Sequence, residues 1–113
     1  MQNRNRIELT ARKRQSGATS ELVAKLYGDD DSILIVENPM MKSIIIQDYI
    51  NPNNINRLKD RIIYKNIDSN EELLNKYSTW YLDVVYPEYM LELVKLAIEK
   101  NKTLIGHYED KDI

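Results

Sequence analysis

The sequence predicts an α/β fold, a small three-layer domain with a parallel sheet between helices. Two apolar runs, Ser32–Val36 and Thr79–Val85, are strong strand candidates, and the first is continuous, bounded by turn residues and typical of a strand covered on both faces. They alternate along the chain with segments that carry apolar residues at helical spacing. Such alternation favours parallel strands with helices packed on the sheet. We expect residues 1–113 to form one domain, with residues 1–5 and 109–113 frayed.

The first half of the chain predicts two strands, each followed by a helix. Arg6–Thr10 is a short strand candidate, and a polar turn over residues 11–17 follows it. The next segment, Ser20–Tyr27, carries apolar residues at helical spacing, and Thr19 is suited to cap its N-terminus. After the first apolar run, a second helical stripe consists of Met40, Met41, Ile44, Ile45 and Tyr49.

The second half repeats this alternation with shorter elements. Residues 61–64 form a short strand candidate, and Glu71–Tyr77 carries a helical turn or two. After the second apolar run, Pro87 suits the start of a helix whose apolar face continues to Asn101. Lys102–Gly106 is the last predicted strand.

Composition excludes several classes of site. The chain contains no cysteine, which excludes a disulfide framework, a thiolate zinc site and a cysteine nucleophile. Its single histidine, His107, follows the last predicted strand, so we interpret it as a surface residue. No apolar stretch approaches the length of a membrane span, and the start of the chain lacks the apolar segment of a signal peptide. We therefore expect a cytoplasmic protein without membrane contacts, in the host cell if a phage encodes it.

Charge is unevenly distributed along the chain. Residues 1–14 contain five basic groups and one acidic group, a local charge of +4, whereas the remainder carries eleven basic and seventeen acidic groups, a charge of −6. The asymmetry indicates either a basic edge that meets phosphate or an acidic partner, or a solvated terminal arm. The five basic residues are Arg4, Arg6, Arg12, Lys13 and Arg14.

The segment around Gly17 resembles a phosphate-binding loop. A predicted strand is followed by a turn ending Arg14-Gln15-Ser16-Gly17-Ala18-Thr19, then by a helix and a second strand. This arrangement resembles the start of a P-loop NTPase domain of phage or viral type. In that family, backbone N–H groups and the helix N-terminus bind phosphate, a lysine reaches the outer phosphates, and Ser or Thr holds Mg²⁺. The resemblance implies a minimal P-loop fold.

The loop departs from the P-loop motif at two demanding positions. Gly17 and Thr19 match it, but Ala18 stands where the family has lysine and Arg12 stands where it has the first glycine. Loss of the lysine leaves charge on a transferred phosphoryl group poorly compensated. We therefore expect no catalytic residues. If phosphate binding is retained, the resemblance implies that the contacts come from Arg12, Lys13, Arg14, Gly17, Thr19 and Ser20.

A second landmark of the family is an apolar strand that ends in a magnesium-orienting aspartate. Asp83 follows Trp80-Tyr81-Leu82 in this way, although a valine rather than a glutamate comes next. We expect no cofactor; only if the chain is a nucleotide-binding enzyme does the resemblance imply that Thr19 and Asp83 hold Mg²⁺ together with ATP or GTP. Alternatively, Asp83 is an ordinary strand residue.

Aromatic residues concentrate beside the second apolar run. Such side chains are enriched at protein interfaces, but they also fill cores. As partner-binding candidates we take the aromatic and basic residues Tyr81, Tyr86, Tyr89, Arg4 and Arg6.

Three functional hypotheses follow. The first is a non-catalytic P-loop-like binding protein of phage or mobile-element type, which contacts a host or viral macromolecule and could inhibit a host enzyme or defence system. Its partner would be a protein, or a nucleic acid at the basic N-terminal edge. The second is a minimal ATPase, GTPase or nucleotide kinase with an unusual loop, in which an upstream basic residue replaces the lysine. The third is a subunit of an oligomeric nucleic-acid machine in which a neighbour supplies the missing charge.

Overall fold

The computed structural model describes residues 6–12, 17–64, 67–84 and 87–109. The strands are β1 (Ile7–Arg12), β2 (Ser32–Val36), β3 (Ile62–Tyr64), β4 (Thr79–Val84) and β5 (Thr103–Glu109). The α-helices are α1 (Ala18–Gly28), α2 (Pro39–Asp48), α3 (Ile55–Leu58), α4 (Ile67–Lys76) and α5 (Pro87–Glu99). Short 3-10 turns at Pro52–Asn54 and Lys59–Arg61 flank α3.

The five strands form one sheet in the order β1-β5-β4-β2-β3, and every neighbouring pair is parallel. This confirms the predicted α/β fold class. The register aligns Thr10 with His107, His107 with Asp83, and Asp83 with Val36. Because side chains on neighbouring strands at aligned positions share a face, these four residues form one row across the sheet.

Helices cover both faces of the sheet and produce two apolar cores. On one face α1, α2 and α3 pack against a core that contains Leu22, Leu26, Leu34, Val36, Ile45, Leu58, Ile62, Tyr81 and Ile105. On the other face α4 and α5 pack against a core that contains Ile33, Ile35, Leu74, Trp80, Leu82, Tyr89, Leu93, Ala97 and Leu104. The central strand β2 is buried along its whole length, as its continuous apolar sequence predicts.

Most differences from the sequence-based elements concern their ends. Strand β5 continues past Gly106 to Glu109, which pairs with Arg12, so the prediction that Glu109 is frayed is wrong. Helix α4 begins at Ile67, before the predicted Glu71. The predicted frayed residues 1–5 and 110–113 lie outside the described residues. In the part of the chain that the structure describes, no helix is long and apolar enough to cross a membrane.

Candidate functional site

Gly17, which follows β1 and precedes α1, belongs to a connection that leaves the carboxyl end of a strand. The connection from β1 leads through α1 on one face, whereas the connection from β4 leads through α5 on the other face. Strand β5 lies between β1 and β4. In open parallel sheets, ligands bind at the carboxyl ends of the strands, where connections leave to opposite faces. In this topology, the carboxyl ends of β1, β5 and β4 therefore form the expected ligand site.

Gly17 sets the start of α1. It is the N-cap residue and has φ 83° and ψ 7°, in the left-handed region that glycine adopts without steric cost. Its carbonyl accepts the first helical hydrogen bond from the N–H of Glu21, at 3.1 Å. The prediction that Thr19 caps this helix is wrong, because Ala18 is already helical and no side chain caps the N-terminus. Thr19 is thereby released for a different contact.

That contact joins Thr19 to Asp83. The Thr19 hydroxyl donates a hydrogen bond of 2.7 Å to Oδ2 of Asp83, and the pair is partly buried. Sixty-four residues separate the two in sequence. The fold thus brings together the two residues that the sequence identifies as candidate magnesium ligands, at the N-terminus of α1 and the end of β4.

Asp83 lies in an electrostatically strained position. Burial raises the pKa of its carboxyl, while the hydrogen bond from Thr19 and the nearby His107 act to lower it. Burial is the largest of these effects, so the pKa remains above its ordinary value. A carboxyl with a raised pKa at the carboxyl edge of a parallel sheet is a functional-site candidate.

His107 is part of the same cluster, contrary to its interpretation as a surface residue. Only 8% of it is exposed, and its Nε2 lies 3.4 Å from Oε2 of Glu21 in the first turn of α1. The sequence-based interpretation is wrong because β5 continues beyond Gly106, so that His107 faces α1 as Ile105 does. The two-residue spacing from Ile105 was the available sequence signal.

A second buried acid lies at the same edge of the sheet. Glu37 directly follows β2 and is only 9% exposed. Burial, and then the carboxylates of Glu37 and Glu92, raise the pKa of the Tyr89 hydroxyl to about 12. Sequence reasoning missed Glu37, although an acid immediately after a buried parallel strand is placed at the carboxyl edge by topology alone.

The remaining candidate phosphate contacts are only partly described. Ser20 lies exposed in the first turn of α1. Arg12 ends β1, and its side chain lies outside the described residues. Lys13 and Arg14 lie outside them entirely. A replacement of the missing lysine by one of these basic residues therefore stays a prediction.

The partner-binding candidates divide differently. Tyr81 and Tyr89 are 6% and 3% exposed and belong to the two cores, which corrects their assignment to a contact surface. They are buried because their strand and helix direct these positions inward. Arg6 is exposed, with Nε 3.4 Å from Oε2 of Glu8. Arg4 and Tyr86 lie outside the described residues.

The oxygen ligands of this site suit an Mg²⁺ ion that is also coordinated by water and phosphate. They are too few to hold a metal by protein side chains alone. A hydroxyl and a carboxylate are hard oxygen ligands, and Mg²⁺ is commonly held by one or two carboxylates together with water and substrate phosphates. Within the described ranges, no group of three or more His, Cys, Asp or Glu side chains could hold a metal. A cation here would therefore rely on Thr19, Asp83 and the oxygens of its own ligand.

Comparison of the chain with protein-family models, curated proteins and solved structures finds no match.

Proposed function

We propose that this chain is a P-loop-like binding protein that holds a phosphate-bearing ligand with Mg²⁺ and does not hydrolyse it. The observation that carries the proposal is the 2.7 Å hydrogen bond from Thr19 to Asp83. It joins the N-terminus of a helix, where backbone N–H groups and the helix dipole attract anions, to a carboxylate suited to a hard cation.

Charge explains why the cation belongs to the proposal. Asp83 and Glu21 are acids near the N-terminus of α1, and they would repel a phosphate group that arrives alone. A divalent cation between Asp83 and the phosphate would turn this repulsion into attraction. The ligand class that fits is therefore a magnesium-bound phosphate ester, such as ATP or GTP.

Ala18 is the reason to propose binding without hydrolysis. It is the first residue of α1, and its methyl group cannot supply the positive charge that a lysine would direct at the outer phosphates. Contacts to the charge that develops during phosphoryl transfer account for much of its catalysis. A site without that contact is suited to ligand retention more than to turnover.

The proposal also includes a biological setting for the protein. Richness in Asn, Ile, Lys and Tyr without any Phe is associated with AT-rich genomes, such as those of many phages. It supports a phage or mobile-element protein that acts in the cytoplasm of a host cell. There it would contact a host or viral macromolecule, with inhibition of a host enzyme or defence system as the outcome.

Thermal melting tests the ligand part of the proposal. A ligand that binds only the folded state at about a hundred times its dissociation constant raises the free energy of unfolding by about 2.7 kcal/mol. We expect ATP or GTP to raise the melting temperature when Mg²⁺ is present and to do so much less when Mg²⁺ is chelated. Hydrolysis measured in the same samples should stay at the background rate.

Variants of Thr19 sharpen the test. Thr19→Val keeps the shape but removes the hydroxyl and should abolish the magnesium-dependent shift, whereas Thr19→Ser should retain it. Thr79→Val, at the opposite end of the strand that carries Asp83, is the matched control and should keep the shift. No shift for the unmodified protein, or equal shifts for all variants, would contradict the proposed site.

An assembled enzyme is the second candidate function. The Thr19–Asp83 hydrogen bond favours it, because this pair could serve magnesium-dependent phosphoryl transfer if a neighbouring subunit supplied the positive charge of the missing lysine. It predicts nucleotide hydrolysis that rises steeply with protein concentration or on addition of DNA or RNA. Hydrolysis at background levels under all of these conditions would exclude it.

A further inference from the structure

Strand β1 is an edge strand with an exposed face. It pairs with β5 on one side, and within residues 6–12, 17–64, 67–84 and 87–109 no strand pairs with its other side. Arg6, Glu8 and Thr10 are exposed on the face of the sheet that carries α1. An edge strand of this length offers unpaired N–H and C=O groups to a further strand.

The backbone register identifies which groups face outward. The carbonyl of Arg6 accepts a hydrogen bond from the N–H of Leu104 on β5, at 2.8 Å. Because the N–H and C=O groups of one strand residue point to the same side and alternate along the strand, Glu8 and Thr10 also face β5. The groups of Ile7, Leu9 and Ala11 therefore point away from the sheet.

Only antiparallel registers with the two-fold axis on a residue let these outward groups meet, and axes at Ile7 or Ala11 would pair at most three residues of β1. A two-fold axis at Glu8 brings two like charges together, and an axis at Leu9 places Arg6 opposite Arg12 of the partner subunit. An axis at Thr10 places Glu8 opposite Arg12 of the partner subunit, twice by symmetry. Opposite charges that face each other across a strand pair are stabilising, and like charges are destabilising.

We propose that two copies of this chain associate through β1 in antiparallel orientation, with the two-fold axis at Thr10. Residues 8–12 of each copy pair, and Leu9 and Ala11 exchange main-chain hydrogen bonds with Ala11 and Leu9 of the partner subunit. The two five-stranded sheets become one continuous sheet. The contact is isologous and closes on itself, which gives a dimer rather than a filament. The proposal is independent of phosphate binding.

Disulfide trapping tests this register directly. The native chain contains no cysteine, so Thr10→Cys introduces a unique thiol. In the proposed register, Thr10 faces its symmetry mate in a non-hydrogen-bonded pair with a Cα–Cα distance of about 4.5 Å, within the range of disulfides. We expect this variant to form a covalent dimer under mild oxidation, at a rate that depends little on dilution while the dimer persists.

Glu8→Cys is the matched control for trapping. It lies on the same exposed face, but in the proposed register the two copies of position 8 are about 13 Å apart along the strand pair. It should therefore crosslink far more slowly than Thr10→Cys. Equal crosslinking of the two variants, or faster crosslinking at position 8, would overturn the register.

Charge reversal tests the dimer without a covalent bond. Sedimentation should show a monomer–dimer equilibrium for the native chain at micromolar to submillimolar concentration. Glu8→Arg, or separately Arg12→Glu, should raise the dissociation constant about ten-fold because both symmetric pairs become like-charged, and the double reversal should restore it. Lys25→Glu, exposed on α1, should leave it unchanged. A native chain that stays monomeric over this whole concentration range would overturn the proposal. The charges of β1 would then serve to prevent association of an exposed edge strand.

Discussion

The hydroxyl of Thr19 and the carboxylate of Asp83 lock the N-terminus of α1 onto the end of β4 at a distance of 2.7 Å. The helix therefore starts at a fixed point above the carboxyl edge of the sheet rather than at the end of a free loop. If the proposed magnesium-bound phosphate were present, the Thr19 hydroxyl oxygen and the Asp83 carboxylate would be the side-chain groups that hold the cation. This connection makes Asp83 and Ala18 the informative positions for mutation.

Asp83 should lower stability at neutral pH. Its pKa is raised in the folded state, mainly by burial, so the folded protein binds more protons than the unfolded chain between the ordinary and the raised pKa. Stability must then fall as pH rises through that interval, and the full cost is present above the raised pKa. Asp83→Asn removes the charge while its amide oxygen still accepts from Thr19. We expect this variant to melt at or above the native temperature at neutral pH, with a flatter acid-side profile and no magnesium-dependent nucleotide shift.

The control for this experiment is an exposed acid. Asp48→Asn, at the end of α2, should leave both the pH profile and the nucleotide response unchanged. If Asp83→Asn is instead less stable at neutral pH and keeps the native pH slope, burial is not the dominant influence on this carboxyl.

Ala18→Lys should strengthen nucleotide binding. The substitution restores a positive charge where the P-loop motif has lysine, and charge-assisted hydrogen bonds to phosphate are about twice as strong as neutral ones. We expect at least about ten-fold tighter magnesium-nucleotide binding, equivalent to about 1.4 kcal/mol. Ser20→Lys adds the same charge two residues later in the same helical turn and is the matched control. Equal gains from both variants would point to general electrostatic attraction rather than to a phosphate loop at this position.

The sequence predicts those parts of the fold that depend on continuous burial. Ser32–Val36 has the predicted bounds and is buried at every position, because a strand covered on both faces has no polar alternation to obscure it. Tyr81 and Tyr89 are harder to predict, since an aromatic ring suits a core and an interface equally well. Their burial depends on which face of β4 and of α5 packs against the core, and the local sequence does not specify this.

The polar part of the site was predictable only in part. The resemblance to P-loop NTPases related Thr19 to Asp83, but an apolar pattern that ends at Gly106 cannot report that β5 continues through His107. The Nε2 of His107 lies 3.4 Å from the Glu21 carboxylate on α1, and that contact exists only once the helix is placed on the sheet. Long-range polar pairing therefore marks the limit of the sequence-based prediction.

Gly106→Ala should destabilise the fold through a steric clash. A Cβ at this position of β5 would lie 2.6 Å from Cβ and 2.8 Å from the carbonyl oxygen of Leu82 on the neighbouring strand. Backbone cannot move aside cheaply in the middle of a parallel sheet, so we expect a loss of about 1–3 kcal/mol in urea unfolding. Gly28→Ala meets no atom within 4 Å at the end of α1 and should be neutral or slightly stabilising. A neutral Gly106→Ala would show that β5 and β4 can separate without cost.

Arg61→Met should cost more than removal of any exposed arginine. The Arg61 side chain is 7% exposed and donates to the carbonyls of Leu26, Asp29 and Ser32, with distances of 3.0 Å to Leu26 and 2.9 Å to Ser32. Methionine retains much of the volume but removes the guanidinium from all three carbonyls, of which Leu26 keeps the N–H of Asp29 and Asp29 keeps the hydroxyl of Ser32. A buried acceptor left unsatisfied costs about 1–3 kcal/mol, so we expect a loss of about 2–4 kcal/mol in the free energy of unfolding, measured in urea.

Arg57→Met is the matched control. The Arg57 side chain is half exposed beside Asp30, and its replacement should change the free energy of unfolding by less than about 0.5 kcal/mol. Equal effects of the two substitutions would mean that water replaces the guanidinium, and that the helix end does not depend on it.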